Sequence, residues 1–488
     1  MGLSTAVTTC PLCEAMCGLE LSLDGGRVTR IRGDRDDVFS GGYLCPKGTT
    51  LGRLHDDPDR LRAPVHQPNA RSAAAGAAQP VTWTEAWHLT EELLRTAIDT
   101  HGRDSVAIYL GNPNVHHLDG TLFAKPLIRG LGKPKVFSAS TVDQRPKEVA
   151  SGLMFGTTLS VAVPDIDRTD LVVLMGANPL ESNGSLATAP DWPGRLAAVR
   201  DRGGRVVVID PRRTKTARAA DAHLAIRPGA DALLLAAVVT ELARTGRVDP
   251  GHAGEWTVGL DEAIASLAAF TPESVAVRSG VSPDEIRSLA AQLADAKSAV
   301  VYGRIGTTTQ RFGTLASWLV DVVNLCTGNL DRAGGAMFTK AAAGAANTRG
   351  TPGVGRGVRI GRFASRVRGL GETMGELPVA ALAEEIDTDG PGQIKVLITV
   401  AGNPLLSTPN SARLEAAMEH LELMISVDPY VNETTRHADI VLPPPSPIQR
   451  PHYDLAFTQL AVRNVANYSS PVTERDPATP AEWEILAR

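Results

Sequence analysis

Residues 171–182 read Leu-Val-Val-Leu-Met-Gly-Ala-Asn-Pro-Leu-Glu-Ser, an apolar run followed by a polar turn. Residues 395–407 read Lys-Val-Leu-Ile-Thr-Val-Ala-Gly-Asn-Pro-Leu-Leu-Ser and repeat that order. A short apolar run that ends in Gly and Asn-Pro is typical of a buried strand and the turn at its carboxyl end. The two segments therefore predict two related α/β halves in one chain.

The repeat continues with an aspartate that follows the next apolar run in each half. Asp210-Pro211 and Asp428-Pro429 correspond, and Asp221 and Asp439 each follow 11 residues later. Open α/β sheets bind ligands beyond the carboxyl ends of their strands, where a carboxylate can accept bidentately from guanine or from ribose hydroxyls. Asn-Pro and Asp-Pro are also good turn formers, which is the structural alternative for either segment alone.

Strand-like and helix-like segments alternate along the chain, which predicts an α/β fold with mostly parallel sheets. Predicted strands are 106–110, 171–175, 205–209, 299–302, 395–400 and 424–427, and predicted helices are 84–100, 231–245, 282–294, 314–326 and 411–420. No G-x-G-x-x-G follows a strand and no G-x4-G-K-[ST] occurs. These absences argue against NAD-type dinucleotides and P-loop nucleotides.

The composition is that of an ordinary globular protein: 488 residues, 43 % hydrophobic, with a formal net charge of -5. It predicts no nucleic-acid partner and no membrane insertion. The first nine residues hold no Arg and no long apolar stretch. We therefore expect neither a secretory nor a twin-arginine signal, and a cytoplasmic location.

Four of the five cysteines, Cys10, Cys13, Cys17 and Cys45, lie near the N-terminus. A tight triple and one distant cysteine favour a [4Fe–4S] cluster, with a zinc site or unligated thiols as the alternatives. Cys326 sits in an apolar helical pattern and is interpreted as a core thiol.

Together these motifs resemble the prokaryotic molybdopterin oxidoreductases, which include formate dehydrogenases, nitrate reductases and dimethyl sulfoxide reductases. The resemblance rests on the cysteines with Cys45-Pro46-Lys47-Gly48, on Gly176-Ala177-Asn178-Pro179, on Val208-Ile209-Asp210-Pro211-Arg212, on Gly402-Asn403-Pro404 and on Ala438-Asp439-Ile440-Val441-Leu442-Pro443. It extends from Cys10 to about Tyr468.

The resemblance implies a [4Fe–4S] cluster on Cys10, Cys13, Cys17 and Cys45. It also implies bis-molybdopterin guanine dinucleotide with molybdenum or tungsten. The implied contacts are Asn178, Asp210, Arg212 and Asp231 to one dinucleotide, Asn403, Asp428 and Asp439 to the other, and Lys47 between the cluster and a pterin. For Lys47, a solvated surface lysine is the alternative. The implied partners are a small-molecule substrate and an electron-accepting or electron-donating protein.

The loop that supplies a metal ligand in this family corresponds to residues 136–154, which contain no cysteine. Ser138, Ser140, Asp143 and Ser151 remain as candidate oxygen ligands, with a metal that has no protein ligand as the alternative, and formate as substrate is not favoured. The sequence assigns no catalytic residue, and His55, His116, His117 and His437 are left without a role.

The expected architecture has a cluster domain at residues 1–59 and a discontinuous α/β domain at 60–135 and 334–488. A second α/β domain is expected at 136–333. The family's C-terminal β-barrel is expected to be absent, which predicts a truncated chain. The predicted function is a molybdenum- or tungsten-dependent oxidoreductase; the alternatives are a non-redox hydratase on the same scaffold and an inactive cluster-bearing remnant without pterin.

Overall fold

A computed structural model describes residues 4–71, 76, 78–184, 186–343 and 357–488. The chain divides into two compact units. Unit 1 comprises Met1–Val142, Arg359–Ala456 and Asn467–Arg488, and unit 2 comprises Asp143–Val358 and Phe457–Ala466. The domain boundaries expected from the sequence stay a prediction.

The strands, in chain order, are β1 (Ser4–Thr9), β2 (Gly18–Asp24), β3 (Arg27–Gly33), β4 (Val65–His66), β5 (Gln79–Pro80), β6 (Val106–Leu110), β7 (Lys135–Ser138), β8 (Val163–Pro164), β9 (Leu171–Met175), β10 (Arg205–Ile209), β11 (Ala222–Leu224), β12 (Ala299–Gly303), β13 (Ala336–Met337), β14 (Ile360–Ala364), β15 (Gly371–Thr373), β16 (Val396–Val400), β17 (Leu423–Val427) and β18 (Ile440–Leu442).

The α-helices are α1 (Leu51–Asp56), α2 (Trp83–His101), α3 (Leu118–Leu131), α4 (Ser140–Asp143), α5 (Arg145–Phe155), α6 (Pro179–Ser182), α7 (Trp192–Asp201), α8 (Lys215–Ala219), α9 (Asp231–Arg244), α10 (Leu260–Leu267), α11 (Pro272–Ser279), α12 (Pro283–Asp295), α13 (Ile305–Thr308), α14 (Gly313–Cys326), α15 (Leu382–Asp387), α16 (Pro404–Ser407), α17 (Ser411–Met418) and α18 (Glu482–Ala487).

Unit 2 is built on a parallel sheet with the order β11-β10-β9-β12. Alternate residues of β9 face opposite sides, as strand geometry requires. Leu171, Val173 and Met175 pack in a core with α9, α12 and α14, and Val172 and Leu174 pack in a core with α7. Each fully buried aliphatic side chain contributes roughly 1.5–3 kcal/mol, so both faces of this sheet need a helical layer.

Unit 1 contains a seven-stranded sheet with the order β5-β4-β18-β17-β16-β6-β7. The strands from β18 to β7 run parallel, and β4 and β5 pair antiparallel. One face packs against α15 and α17 and the other against α2, α3 and α18. A separate three-stranded antiparallel sheet, β1-β2-β3, carries the cysteine-rich loop.

The α/β fold class predicted from the repeat is confirmed. Strands β6, β9 and β10 have the same ends as predicted, and β12, β16 and β17 differ by one residue at one end. The sequence analysis did not predict α3 or α5. Both carry polar or small residues over much of their length, which weakens the apolar periodicity that marks a helix.

Each parallel sheet has one point where the strand order reverses, and such switch points open a crevice at the carboxyl edge. In unit 2 the point lies between β9 and β12, and in unit 1 between β16 and β6. The backbone is close-packed there in unit 2: Gly176 has φ +55°, and a Cβ on it would lie 2.7 Å from Cα of Gly306. Only glycine fits this crossing.

Candidate functional site: a cysteine cluster and two switch-point crevices

The first three cysteines lie on the connection between two paired strands. Thr9 of β1 pairs with Gly18 of β2, and the amide of Cys10 donates to the carbonyl of Cys17 at 2.8 Å. This hydrogen bond closes the loop and places Cys10 and Cys17 side by side. Both are buried in a small apolar core with Leu19, Leu21 and Leu51.

The second part of the cysteine site is the segment that carries Cys45. It is positioned by a close backbone approach, because a Cβ on Gly33 at the end of β3 would overlap the carbonyl oxygen of Gly42. Cys45 is half-buried, and Lys47 after it is exposed and precedes a 3₁₀ helix at Gly48–Thr50. The four cysteines and Lys47 thus all belong to unit 1.

The four thiol groups are close enough to influence one another's ionisation. Burial raises the pKa of Cys10 to about 12, the Leu12 amide and Lys47 oppose this, and Cys13 and Cys45 add to it. Burial also raises the pKa values of Cys13 and Cys17. No disulfide joins the described cysteines. In the part of the chain that the structure describes, no three His, Cys, Asp or Glu residues are grouped so as to hold a single metal ion; a [4Fe–4S] cluster instead spreads four thiolates over several irons.

These raised pKa values fit a site for a cationic centre. Buried thiols that repel one another as thiolates stay protonated at neutral pH, and a bound metal centre is what makes thiolates of them. Backbone amides already point at two of the sulfurs, since Leu12 donates to Cys10 and Ala15 to Cys13. Soft sulfur donors with such hydrogen bonds suit an iron–sulfur cluster.

At the switch point of unit 2, Asn178 follows β9 and its side chain is anchored. Its Oδ1 accepts hydrogen bonds from the amide and the hydroxyl of Thr216, and the amide of Leu180 donates to Thr216 Oγ1 at 3.3 Å. Unit 1 repeats the arrangement at Asn403: the Thr434 hydroxyl donates to Asn403 Oδ1 at 2.6 Å, and the Leu405 amide donates to Thr434 Oγ1 at 3.2 Å. The repeated Asn-Pro-Leu motif therefore makes the same hydrogen bonds to a threonine in both units.

Asp210 and Asp428 occupy equivalent places beyond the neighbouring strands. The amide of Arg212 donates to Asp210 Oδ1 at 2.8 Å, and the amide of Tyr430 donates to Asp428 Oδ1 at 3.0 Å. Each of these Asx turns occupies Oδ1 of the aspartate with a backbone amide. Arg212 is exposed beside the first of these turns.

Two of these carboxyl groups have strongly raised pKa values. Burial raises the pKa of Asp428 to about 6 against hydrogen bonds from Tyr430 and Asn432. Burial also raises the pKa of Asp231 to about 6, where Gln310 Nε2 donates to Oδ2 at 2.5 Å and Asp210 lies nearby. Buried carboxyls at a ligand-binding edge are candidate binding groups, because a ligand with several N–H or O–H donors would stabilise their charged form.

Asp439 lies at the opposite edge of its sheet from the other predicted contacts. It precedes β18, accepts from the Met424 amide at 2.8 Å and pairs with Arg71 Nη1 at 2.7 Å. Asp221 does the same in unit 2, where it accepts from the Val206 amide at 2.7 Å and pairs with Arg200 Nε at 2.9 Å. The structure therefore does not bring Asp439 together with Asn403 and Asp428, and its carboxylate has a structural role.

The four candidate metal ligands differ in what their oxygens contact. Ser138 donates to Glu376, and Ser151 is fully buried inside α5. Ser140 begins α4 and is half-buried. Asp143 ends α4, and burial raises its pKa while Arg304 opposes the rise.

The sequence analysis missed Arg304. Its guanidinium is buried and donates to Gln144 Oε1 at 2.7 Å. It follows β12 directly, at the carboxyl edge of the unit 2 sheet. A position directly after a predicted strand was the one sequence signal for Arg304, and it is weak because the sequence does not show that Gln144 lies beside it.

Within the described residues, no helix has both the length and the apolar character needed to cross a membrane.

Comparison with known proteins gives consistent matches over most of the chain. Residues 60–446 match the family model for molybdopterin oxidoreductase, and residues 3–56 match the model for the molybdopterin oxidoreductase Fe4S4 domain. A nitrate reductase of Symbiobacterium thermophilum is 27 % identical over 89 % of this chain and 59 % of its own length. Formate dehydrogenase H of Escherichia coli is 26 % identical over 90 % of this chain and 62 % of its own length.

Among solved structures, acetylene hydratase from Pelobacter acetylenicus has the same fold, with a TM-score of 0.80 at 18 % identity. The match covers 99 % of this chain and 69 % of that one. The chain spans about three fifths of the length of the curated relatives it matches. With the cysteine cluster and the repeated crevices, these matches show that the chain belongs to the molybdopterin oxidoreductase family, which implies a [4Fe–4S] cluster and a bis-molybdopterin guanine dinucleotide centre with molybdenum or tungsten.

Proposed function

We propose that the chain is the catalytic part of a molybdenum- or tungsten-dependent oxidoreductase that acts on a small substrate. The observation that carries this proposal is the repeated contact network at two switch points, together with one group of four cysteines. Two equivalent crevices suit two copies of one dinucleotide, and four thiols suit one cluster.

The residues of each crevice have distinct roles in this proposal. Asp210 and Asp231 in unit 2, and Asp428 in unit 1, accept hydrogen bonds from guanine or ribose donors. Arg212 pairs with a pyrophosphate. Asn178 and Asn403 hold the turns through Thr216 and Thr434. Asp439 is not part of this set.

Cys10, Cys13, Cys17 and Cys45 hold the cluster in this proposal. Lys47 is near enough to the thiols to oppose the rise in the pKa of Cys10 and Cys13. A cation there favours the reduced, more negative state of the centre. When bound, the bis-pterin metal exchanges two electrons with the substrate, and the cluster carries them singly to or from a partner protein. A cytoplasmic location stays a prediction.

Asp143 is the proposed protein ligand to the metal among the four candidates. Its carboxyl is largely buried next to a buried arginine, whereas Ser138 already donates to Glu376 and Ser151 lies inside a helix. Burial raises the pKa of Asp143, Arg304 opposes this rise, and a carboxylate is a hard oxygen donor of the kind that molybdenum or tungsten in a high oxidation state accepts.

The test uses the chain purified anaerobically with its cofactors and reduced with dithionite. Nitrate or another oxo-substrate is added, and the cluster's electron paramagnetic resonance signal is followed. We expect substrate-dependent reoxidation, its loss in Asp143→Asn, and its retention in Asp201→Asn, where an exposed aspartate is changed. Hydration of an unsaturated substrate without any change in the cluster signal would instead show a non-redox hydratase.

A further inference from the structure

Unit 1 contains a buried polar cluster that the proposed function does not use. Its members come from the loop after β6, from the segment after β18 and from α18, and they are His116, His117, Arg450, His452, Asp454 and Glu482. All are buried except His117, whose side chain keeps 16 % exposure. Burying this many ionisable groups is costly unless each is paired.

Most of the cluster is paired internally. Arg450 Nη1 donates to Glu482 Oε2 and lies 3.2 Å from His117 Nδ1. His116 Nδ1 lies 3.0 Å from Asp454 Oδ2. Because arginine can only donate, His117 Nδ1 is an acceptor, which means that the ring is neutral. Burial and the charge of Arg450 lower the pKa of His117, which agrees with this tautomer.

Two atoms remain without a hydrogen-bond partner. Glu482 Oε1 lies 3.5 Å from His117 Nδ1, but a nitrogen that accepts from Arg450 has no proton to give. His452 Nε2 is likewise buried without a partner. Both residues line one small cavity of about 10 Å³, together with Pro11 and Asp119. One water molecule needs roughly this volume and two to four polar partners.

The cavity adjoins the cysteine loop. Pro11, which lies between Cys10 and Cys13, is part of its wall. Ser469 connects the two sites: its backbone forms two hydrogen bonds of 2.9 Å with His452, and its Oγ accepts from the Thr9 amide at 2.8 Å. Thr9 precedes Cys10. Hydrogen bonds thus link His452 through Ser469 to the residue before Cys10, and Thr9, Ser469 and His452 are buried, where charge is weakly screened.

We propose that Glu482 and His452 hold one ordered water in this cavity, and that His452 takes up a proton when an electron is added at the neighbouring cysteine-held centre. The water gives its proton to Nε2 and recovers one from solvent beside the partly exposed His117. One proton thus enters for each electron gained, and both leave on oxidation. The proposal rests only on the cluster part of the proposed function.

The charges around His452 agree with uptake on reduction. Burial lowers its pKa to about 4; Asp454 opposes this, and Arg450 adds to it, as His117 and His116 do when they are protonated. Glu482 faces the same cavity as an anion: burial opposes its ionisation, and the charge of Arg450 is the largest of the effects that lower its pKa to about 2. Asp119 completes the wall, and burial raises its pKa. His452 is thus neutral before reduction, and added negative charge nearby raises its affinity for a proton.

The test is a redox titration of the cluster in the full chain, with dithionite and mediators, at several pH values. We expect the midpoint potential to fall as pH rises. The steepest fall that one proton per electron allows is a tenfold change in the reduction equilibrium per pH unit, which is about 59 mV for one electron. His452→Phe removes Nε2 and should make the potential independent of pH. His101→Phe, at the opposite edge of the sheet beside Glu422, should keep the dependence.

A second measurement needs no variant. The infrared difference spectrum of reduction, with and without ¹⁵N-histidine, should show a protonated imidazole that appears with the electron. A potential independent of pH in the iron-loaded wild type, or a difference spectrum without that band, would overturn the inference. A chain that binds no iron would instead contradict the proposed function.

Discussion

Asp428→Asn should stabilise the cofactor-free chain and impair the crevice of unit 1. Asp428 is 8 % exposed, and burial raises its pKa to about 6 from the ordinary value of 3.8. This difference corresponds to about 3 kcal/mol of destabilisation at pH values where the folded carboxyl is ionised. Asparagine keeps an oxygen for the Tyr430 amide and carries no charge to bury.

The size of the stability gain from Asp428→Asn depends on pH. A folded-state pKa above the unfolded one means that stability is lost as pH rises from about 4 through about 6. Urea unfolding followed by circular dichroism should therefore show a gain of about 3 kcal/mol for Asp428→Asn near pH 8 and little change near pH 4. Asp99→Asn, at an exposed position, is the control. An equal shift at both pH values, or a loss of stability near pH 8, would refute the reasoning.

Three further predictions concern other parts of unit 1. Gly33→Ala should lower bound iron, because its Cβ would overlap the Gly42 carbonyl and displace the segment that leads to Cys45; Gly130→Ala, where a Cβ meets open space, should not. Arg71→Met should cost roughly 3–5 kcal/mol by leaving a buried carboxylate unpaired, while pterin content per folded chain, measured by fluorescence after extraction, stays unchanged. In the iron-free chain, the stability of the wild type relative to His452→Phe should fall by about 3 kcal/mol in urea as pH falls from about 6.5 to about 4, because His452 resists protonation only when folded.

The fold could be predicted because its signals are local. The apolar runs of β9 and β16 end in the same turn, so one comparison within the sequence identifies both halves. The cysteine spacing is local in the same way. Long-range pairings leave no such signal: Asp454 and Arg450 meet His116 and His117 after β6, which lie more than 300 positions away.

The position of Asp439 shows a different limit of sequence reasoning. Its spacing from Asp428 matches that of Asp221 from Asp210, so the repeat indicates equivalence between the halves. It does not indicate which edge of the sheet each residue occupies. The chain returns to the amino edge before β18 begins, and the carboxylate pairs there with Arg71.

The most direct test of the account is the metal and pterin content of the chain after anaerobic purification. The account predicts about four irons for one [4Fe–4S] cluster, with pterin in both crevices and molybdenum or tungsten bound. Asp428→Asn should lose pterin and retain iron, because the cluster and the crevice are held by different residues. Zinc in place of iron at the four cysteines, or an iron-loaded chain that never binds pterin, would contradict the account.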